Sequence, residues 1–116
     1  MFLNQCYLVY RLYIGLKGVK IFSDRIILRQ PDDWHLHLRD GDLLNLTVAH
    51  TSRVFRRAII MPNLIPPVDN IELAKSYRKR ILDATPENLS FVPLMTAYLK
   101  NNLRPEVLAK GFHDGV

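Results

Sequence analysis

The chain of 116 residues contains a single cysteine, Cys6. An intrachain disulfide is therefore impossible, and so is a zinc cage built from thiolates. Such sparing use of cysteine points to a reducing, cytoplasmic setting. Membrane-length apolar runs are missing too. The leucine- and tyrosine-rich opening from Met1 to Phe22 is interrupted by Arg11, Lys17 and Lys20, and its apolar run Leu12–Leu16 is far too short. A spanning helix needs about 20 such residues. No basic segment precedes the apolar residues and no small-x-small pattern follows them, which argues against a secretory signal. Residues 1–24 read instead as an atypical N-terminal extension, and no membrane partner is expected. Internal repeats and low-complexity tracts are also absent.

What is present suits one globular domain. The hydrophobic share of 48% and charged share of 23% favour neither disorder nor a fibrous chain. Sixteen Lys and Arg against eleven Asp and Glu give a net charge of +5, which raises the question of an anionic partner. The basic residues fall into separate groups, Arg53, Arg56 and Arg57, then Lys75, Arg78, Lys79 and Arg80. The second group lies on a predicted helix, where a solvated outer face is the simplest reading. Each group holds a single aromatic, Phe55 or Tyr77, and no known binding motif accompanies either, so no nucleic-acid partner is expected.

Along the chain, strand and helix signals alternate. Arg25–Arg29 is a short β-type run closed by Pro31. Trp34–Arg39 reads as a strand, and Asp42 as the N-cap of a helix through Val48. Ala58–Met61 is apolar on both faces, as a strand buried within a parallel sheet must be. Leu64–Val68 contains two prolines and is an extended loop. Asp69 and Glu72 have capping-box spacing before a helix of about Asn70–Ala84, with Ile71, Ala74, Tyr77, Ile81 and Ala84 on one face. Phe91–Leu99 reads as a third strand. Pro105 opens a last helix striped by Val107, Leu108 and Phe112, with Gly111 and Gly115 weakening its end. Three strand–helix units in succession predict an α/β fold with a parallel sheet. A (β/α)8 TIM barrel needs about 250 residues, so the chain has room for only the first three βα units.

One stretch carries the chemistry. In Trp34-His35-Leu36-His37-Leu38-Arg39, strand alternation sends His35, His37 and Arg39 to one face and the three apolar side chains to the other. Two neutral imidazoles suit a zinc ion, and a guanidinium beside them suits an anion. A catalytic zinc site needs about three protein ligands, so two histidines do not complete one. His50 and His113, in a helix end and a C-terminal helix, are poor further ligands and read as surface residues. Asn63 follows the second strand, where parallel-sheet enzymes place ligand contacts. At this point the histidine pair and Asn63 each keep an ordinary alternative: packed or surface histidines, and a strand-ending turn.

The segments Arg29-x-Pro31-Asp-Asp-Trp-His-Leu-His-Leu-Arg-Asp-Gly41 and Arg57-Ala-Ile-Ile-Met-Pro-Asn63-Leu-x-Pro-Pro67 resemble the start of a bacterial-type dihydroorotase, a member of the amidohydrolase superfamily. Tyr77-Arg-x-Arg-Ile-Leu-Asp-Ala84, Pro93-Leu-Met-Thr-x-Tyr-Leu99 and Gly111-Phe-x-x-Gly-Val116 extend the likeness to the end of the chain. The resemblance makes residues 25–116 the N-terminal part of an amidohydrolase TIM-barrel domain. It implies that His35 and His37 bind zinc in a two-ion site and that Arg39 and Asn63 hold a substrate carboxylate. The implied reaction interconverts N-carbamoyl-L-aspartate and (S)-dihydroorotate in de novo pyrimidine biosynthesis, and the complete enzyme is compatible with a homodimer. The family's bridging carboxylated lysine, further zinc histidines and catalytic aspartate are expected beyond Val116. Neither Lys100 nor Lys110 is assigned to that lysine role, and no catalytic residue is placed in this chain. The 116 residues alone are accordingly expected to be inactive. A non-catalytic truncated product, a small basic binding protein or another cyclic amidohydrolase are the competing expectations.

Overall fold

A computed structural model describes residues 20, 21, 24–101 and 103–116. Cys6 and nearly all of the N-terminal extension lie outside these residues. Two short strands come first, β1 (Lys20–Ile21) and β2 (Ile26–Ile27), paired antiparallel. The main unit follows as β3 (Asp32–Leu36), α1 (Asp42–Val54), β4 (Arg57–Ile60), α2 (Ile71–Asp83), β5 (Val92–Met95) and α3 (Pro105–His113). Its sheet is parallel throughout, in the order β3-β4-β5. The expected mixed α/β fold with a parallel sheet is therefore present.

The central strand explains its own composition. In β4 Ala58 and Ile60 are completely buried, while Ile59 on the opposite face is half-buried. A strand flanked by two others and covered by helices has no water-facing side to supply with polar residues. Leu38, Leu44, Val48, Val68, Ala74, Tyr77, Ile81 and Phe91 complete the core around it. The α2 residues Ala74, Tyr77 and Ile81 recur at helical spacing, as the sequence pattern predicts. Pro93 sits in β5 opposite Ala58, and among the described residues that strand is at a sheet edge, where a missing N–H is tolerated.

Several expected boundaries move. The strand read as Trp34–Arg39 is Asp32–Leu36, with an irregular register against β4 between Asp33 and Leu36. Trp34 does not enter the core: it is 58% exposed and lies 5.6 Å beneath the Arg57 guanidinium. Arg57 also forks onto the Asp32 carboxylate at 3.0 and 2.5 Å, tying the first residues of β4 and β3 together. The third strand is shorter than Phe91–Leu99 because the chain leaves the sheet at Thr96, whose hydroxyl donates to the Ile60 carbonyl.

The helix starts also differ. Gly41, with φ 64°, is the N-cap of α1, and Asp42 occupies its first turn. The cap of α2 is Asn70, whose Oδ1 accepts from the Leu73 amide at 2.9 Å. Asp69 instead pairs with Lys100, which joins the loop after β4 to the loop after β5. In α3 the apolar stripe is left uncovered at Phe112, 83% exposed, whereas Gly111 is buried. Gly111 is therefore a packing position against α2 rather than a weak helix end.

Candidate functional site

All three parallel strands end on one side of the sheet, and every residue singled out for chemistry lies just past or at those ends. His35 is in the last turn of pleat of β3, and His37 follows the strand. Both imidazoles are exposed, and their Nε2 atoms are 3.1 Å apart. The rings are tilted by 53° with centroids 5.0 Å apart. Their convergence follows from pleat parity, since residues two apart share a face. The Asp33 carboxylate accepts from the His35 backbone amide at 2.9 Å and so braces the strand at this point.

Parity does not extend to Arg39. That residue has φ 67°, and Gly41 two positions on has φ 64°, so the chain turns sharply after Leu38. Leu38 is driven into the core at 1% exposure, and Arg39 is placed by the turn rather than by a strand face. The Thr47 hydroxyl from α1 donates to the Leu38 carbonyl at 2.7 Å, which secures the start of the turn.

Arg39 and Asn63 share a cavity. Both line one cavity of about 420 Å³, together with Asp40, Leu64, Val68 and Arg80. The loop carrying Asn63 is held in place by backbone bonds from Val68 to Pro62 and from Tyr98 to Val68, at 2.8 and 2.7 Å. A guanidinium and a carboxamide lining one cavity provide several N–H donors, which fits a carboxylate. The two histidines are outside the lining of this cavity.

Arg80 is exposed, as its place among the helix charges predicts, but it has a further role that the sequence did not show. Counted among solvated helix charges, it lines the cavity and forks onto Asp40 at 3.1 and 2.6 Å. That fork holds the Asp40 carboxyl below its ordinary value despite partial burial. Its contact with Asp40 depends on the register of α2 and on the reversal of the chain at Arg39. Its spacing of three from the core residue Tyr77 was the available hint. Other basic residues are paired as well, Lys75 with Asp114 at 3.0 Å and Lys79 with Asp83 at 2.6 Å.

The histidines pass a geometric test for a shared metal ion. Two nitrogens bound to zinc at about 2.0–2.1 Å in tetrahedral geometry lie roughly 3.3 Å apart. The observed 3.1 Å is close to that, and both nitrogens are open to solvent. The same distance also suits a hydrogen bond in which one imidazole donates to the other. Among the described residues no group of three or more His, Cys, Asp or Glu side chains could hold a metal, and the exposed His50 and His113 do not join the pair. No helix of the described residues is long and apolar enough to cross a membrane.

No family model matches the chain. The dihydroorotase of Parasynechococcus marenigrum is 54% identical over 94 residues, covering 81% of this chain and 27% of the relative. The crystal structure of dihydroorotase from Campylobacter jejuni superposes with a TM-score of 0.66 at 44% identity, over 73% of this chain and 25% of that one. Dihydroorotase from Saccharomyces cerevisiae, solved in complex with 5-fluoroorotic acid, gives a TM-score of 0.63 at 27% identity, over 72% and 22%. The chain thus spans about a quarter of the length of the proteins it matches. The resemblance drawn from its motifs is borne out: this chain is homologous to a portion of dihydroorotases.

Proposed function

We propose that the chain is the opening portion of a dihydroorotase, a zinc hydrolase that interconverts N-carbamoyl-L-aspartate and dihydroorotate in cytoplasmic pyrimidine synthesis. Its three βα units are the first of a (β/α)8 barrel, with residues 25–116 as the N-terminal part of that domain. The observation that carries the reading is the convergence of His35 and His37 two residues from a cavity lined by Arg39 and Asn63. Homology to dihydroorotases over most of the chain supports it.

In this reading His35 and His37 hold zinc through Nε2. Bound zinc supplies Lewis acidity at the amide carbonyl and makes water a nucleophile near neutral pH. The rest of the work belongs to the chain's own donors. Arg39 receives a substrate carboxylate through two parallel N–H bonds, and Asn63 donates a third from the loop after β4. Fixing the carboxylate in this cavity sets which ring atom faces the histidines. Two imidazoles provide half of a metal site, so the 116 residues alone do not turn over substrate.

Calorimetric titration of the purified chain with zinc tests the assignment. One ion per chain is expected, with a dissociation constant roughly micromolar or weaker, since ligands are few. Replacing both histidines by alanine should abolish that binding, and unchanged zinc uptake in the double variant would overturn the metal assignment. Measurable dihydroorotate hydrolysis by the chain alone would overturn the expectation of inactivity.

A further inference from the structure

Among the described residues Arg39 is the one non-glycine residue with a positive φ. Backbone in this region is disfavoured for a side chain as large as arginine and persists where the surroundings over-determine it. Here they do. The Tyr77 hydroxyl, on a ring that is 1% exposed, donates to the Arg39 carbonyl at 2.6 Å. One helical turn further along α2, Arg80 occupies both oxygens of Asp40 at 3.1 and 2.6 Å. Arg80 is itself braced, by Ser76 at 2.8 Å and by the Tyr77 ring 5.4 Å from its guanidinium.

The geometry assigns Tyr77 and Arg80 a positioning role: they lock the Arg39–Asp40 turn in its left-handed form and so aim the Arg39 guanidinium into the cavity. The assignment rests on the carboxylate-binding role proposed for Arg39. Two physical effects combine in it. Relaxation of φ to a negative value would redirect the Arg39 Cα–Cβ bond and carry the guanidinium out of the cavity it lines with Asn63. Release of Asp40 would place a free carboxylate beside Arg39, and an arginine paired with its own neighbour has fewer N–H donors left for a ligand. As arranged, Asp40 is engaged by Arg80, and Arg39 forms no ion pair among the described residues. Burial, followed by the Asp40 charge, pushes the Tyr77 hydroxyl up to about 12, so it stays protonated as a donor.

Two measurements on the 116-residue chain test this. In the first, dihydroorotate is titrated while the Arg39 Nε–H resonance is followed by NMR. Tyr77→Phe, which keeps the buried ring, and Arg80→Lys, which keeps the charge, should each weaken the affinity about tenfold. The second is a thermal-melting cycle with Arg39→Gly, since glycine adopts positive φ without a clamp. Tyr77→Phe should lower Tm less in the Arg39 chain, which sheds backbone strain as φ relaxes, than in the Arg39→Gly chain, which has none to shed. Wild-type dihydroorotate affinity in both variants, or an equal loss of Tm in both backgrounds, overturns the positioning role. A wild-type chain whose Arg39 resonance does not respond to dihydroorotate overturns the carboxylate reading instead, and the melting cycle still decides the clamp.

Discussion

Gly111 of α3 lies so close to Ile71 at the start of α2 that a Cβ built on it would fall 2.2 Å from Ile71 Cδ1 and 3.0 Å from Cγ1. The glycine is what lets the last helix settle against the second. Its use is spatial, because its φ is not in the left-handed region.

Substituting Gly111 by alanine should therefore destabilise the chain although alanine is the better helix former. Overpacking costs about 1–3 kcal/mol, and the propensity gain returns roughly 1 kcal/mol. The Ile71 side chain can partly swing aside, so a net loss near the low end of that difference is expected in urea melts. In an Ile71→Ala background the clash is gone and Gly111→Ala should become stabilising. The reversal of sign is the diagnostic outcome.

Core and surface apolar residues should respond very differently to truncation. Ile60 and Ile81 are fully buried, and replacing either by alanine should cost about 2–5 kcal/mol. Trp34 is the largest side chain of the histidine strand but is mostly exposed, so Trp34→Ala should change stability by less than about 1 kcal/mol. Equilibrium denaturation of the three variants checks the contrast.

Stability should fall in acid through a defined set of carboxylates. Asp32, Asp40, Asp69 and Asp114 are held below the ordinary 3.8 by hydrogen bonds from Arg57, Arg80, Lys100 and Lys75 respectively. A depressed carboxyl contributes stability that is present above its unfolded value and lost as pH drops through the folded one. Melting temperature should accordingly decline below about pH 4, and added salt should blunt the effect because these pairs are solvent-screened. Asp40→Asn should show a shallower acid slope than the wild type.

At the alkaline end the sign is opposite. The Tyr77 hydroxyl ordinarily titrates at 10.0 and is raised to about 12 by burial, with Asp40 adding to it. Its contribution is complete below 10 and disappears as pH rises towards 12. Melts of Tyr77→Phe should lack this alkaline loss, while being less stable than wild type at neutral pH for want of the bond to Arg39.

A carboxylate introduced at position 63 should oppose the site's proposed ligand. Asn63→Asp is nearly isosteric, but it replaces a donor with a negative charge in the same cavity as Arg39. Dihydroorotate binding to the chain should fall at least tenfold, and lowering the pH should partly restore it.

The sequence by itself determined the alternation of strands and helices, the parallel sheet, and the pairing of His35 with His37. These follow from local periodicity: a pleat of two puts both imidazoles on one side, and a helical stripe of Ala74, Tyr77 and Ile81 has one face to bury. It also contained the motifs that the homology to dihydroorotases bears out. Only the tertiary structure decided how Arg39 comes to line a cavity with Asn63. The strand ends at Leu36, and a left-handed turn held from α2 carries the arginine to the cavity, a relation between residues 38 and 40 positions apart that no local period encodes. For the same reason Arg80 looked like a solvated charge only, and Asp69 rather than Asn70 looked like a cap. Both depend on which loop lies opposite, and that is set by packing.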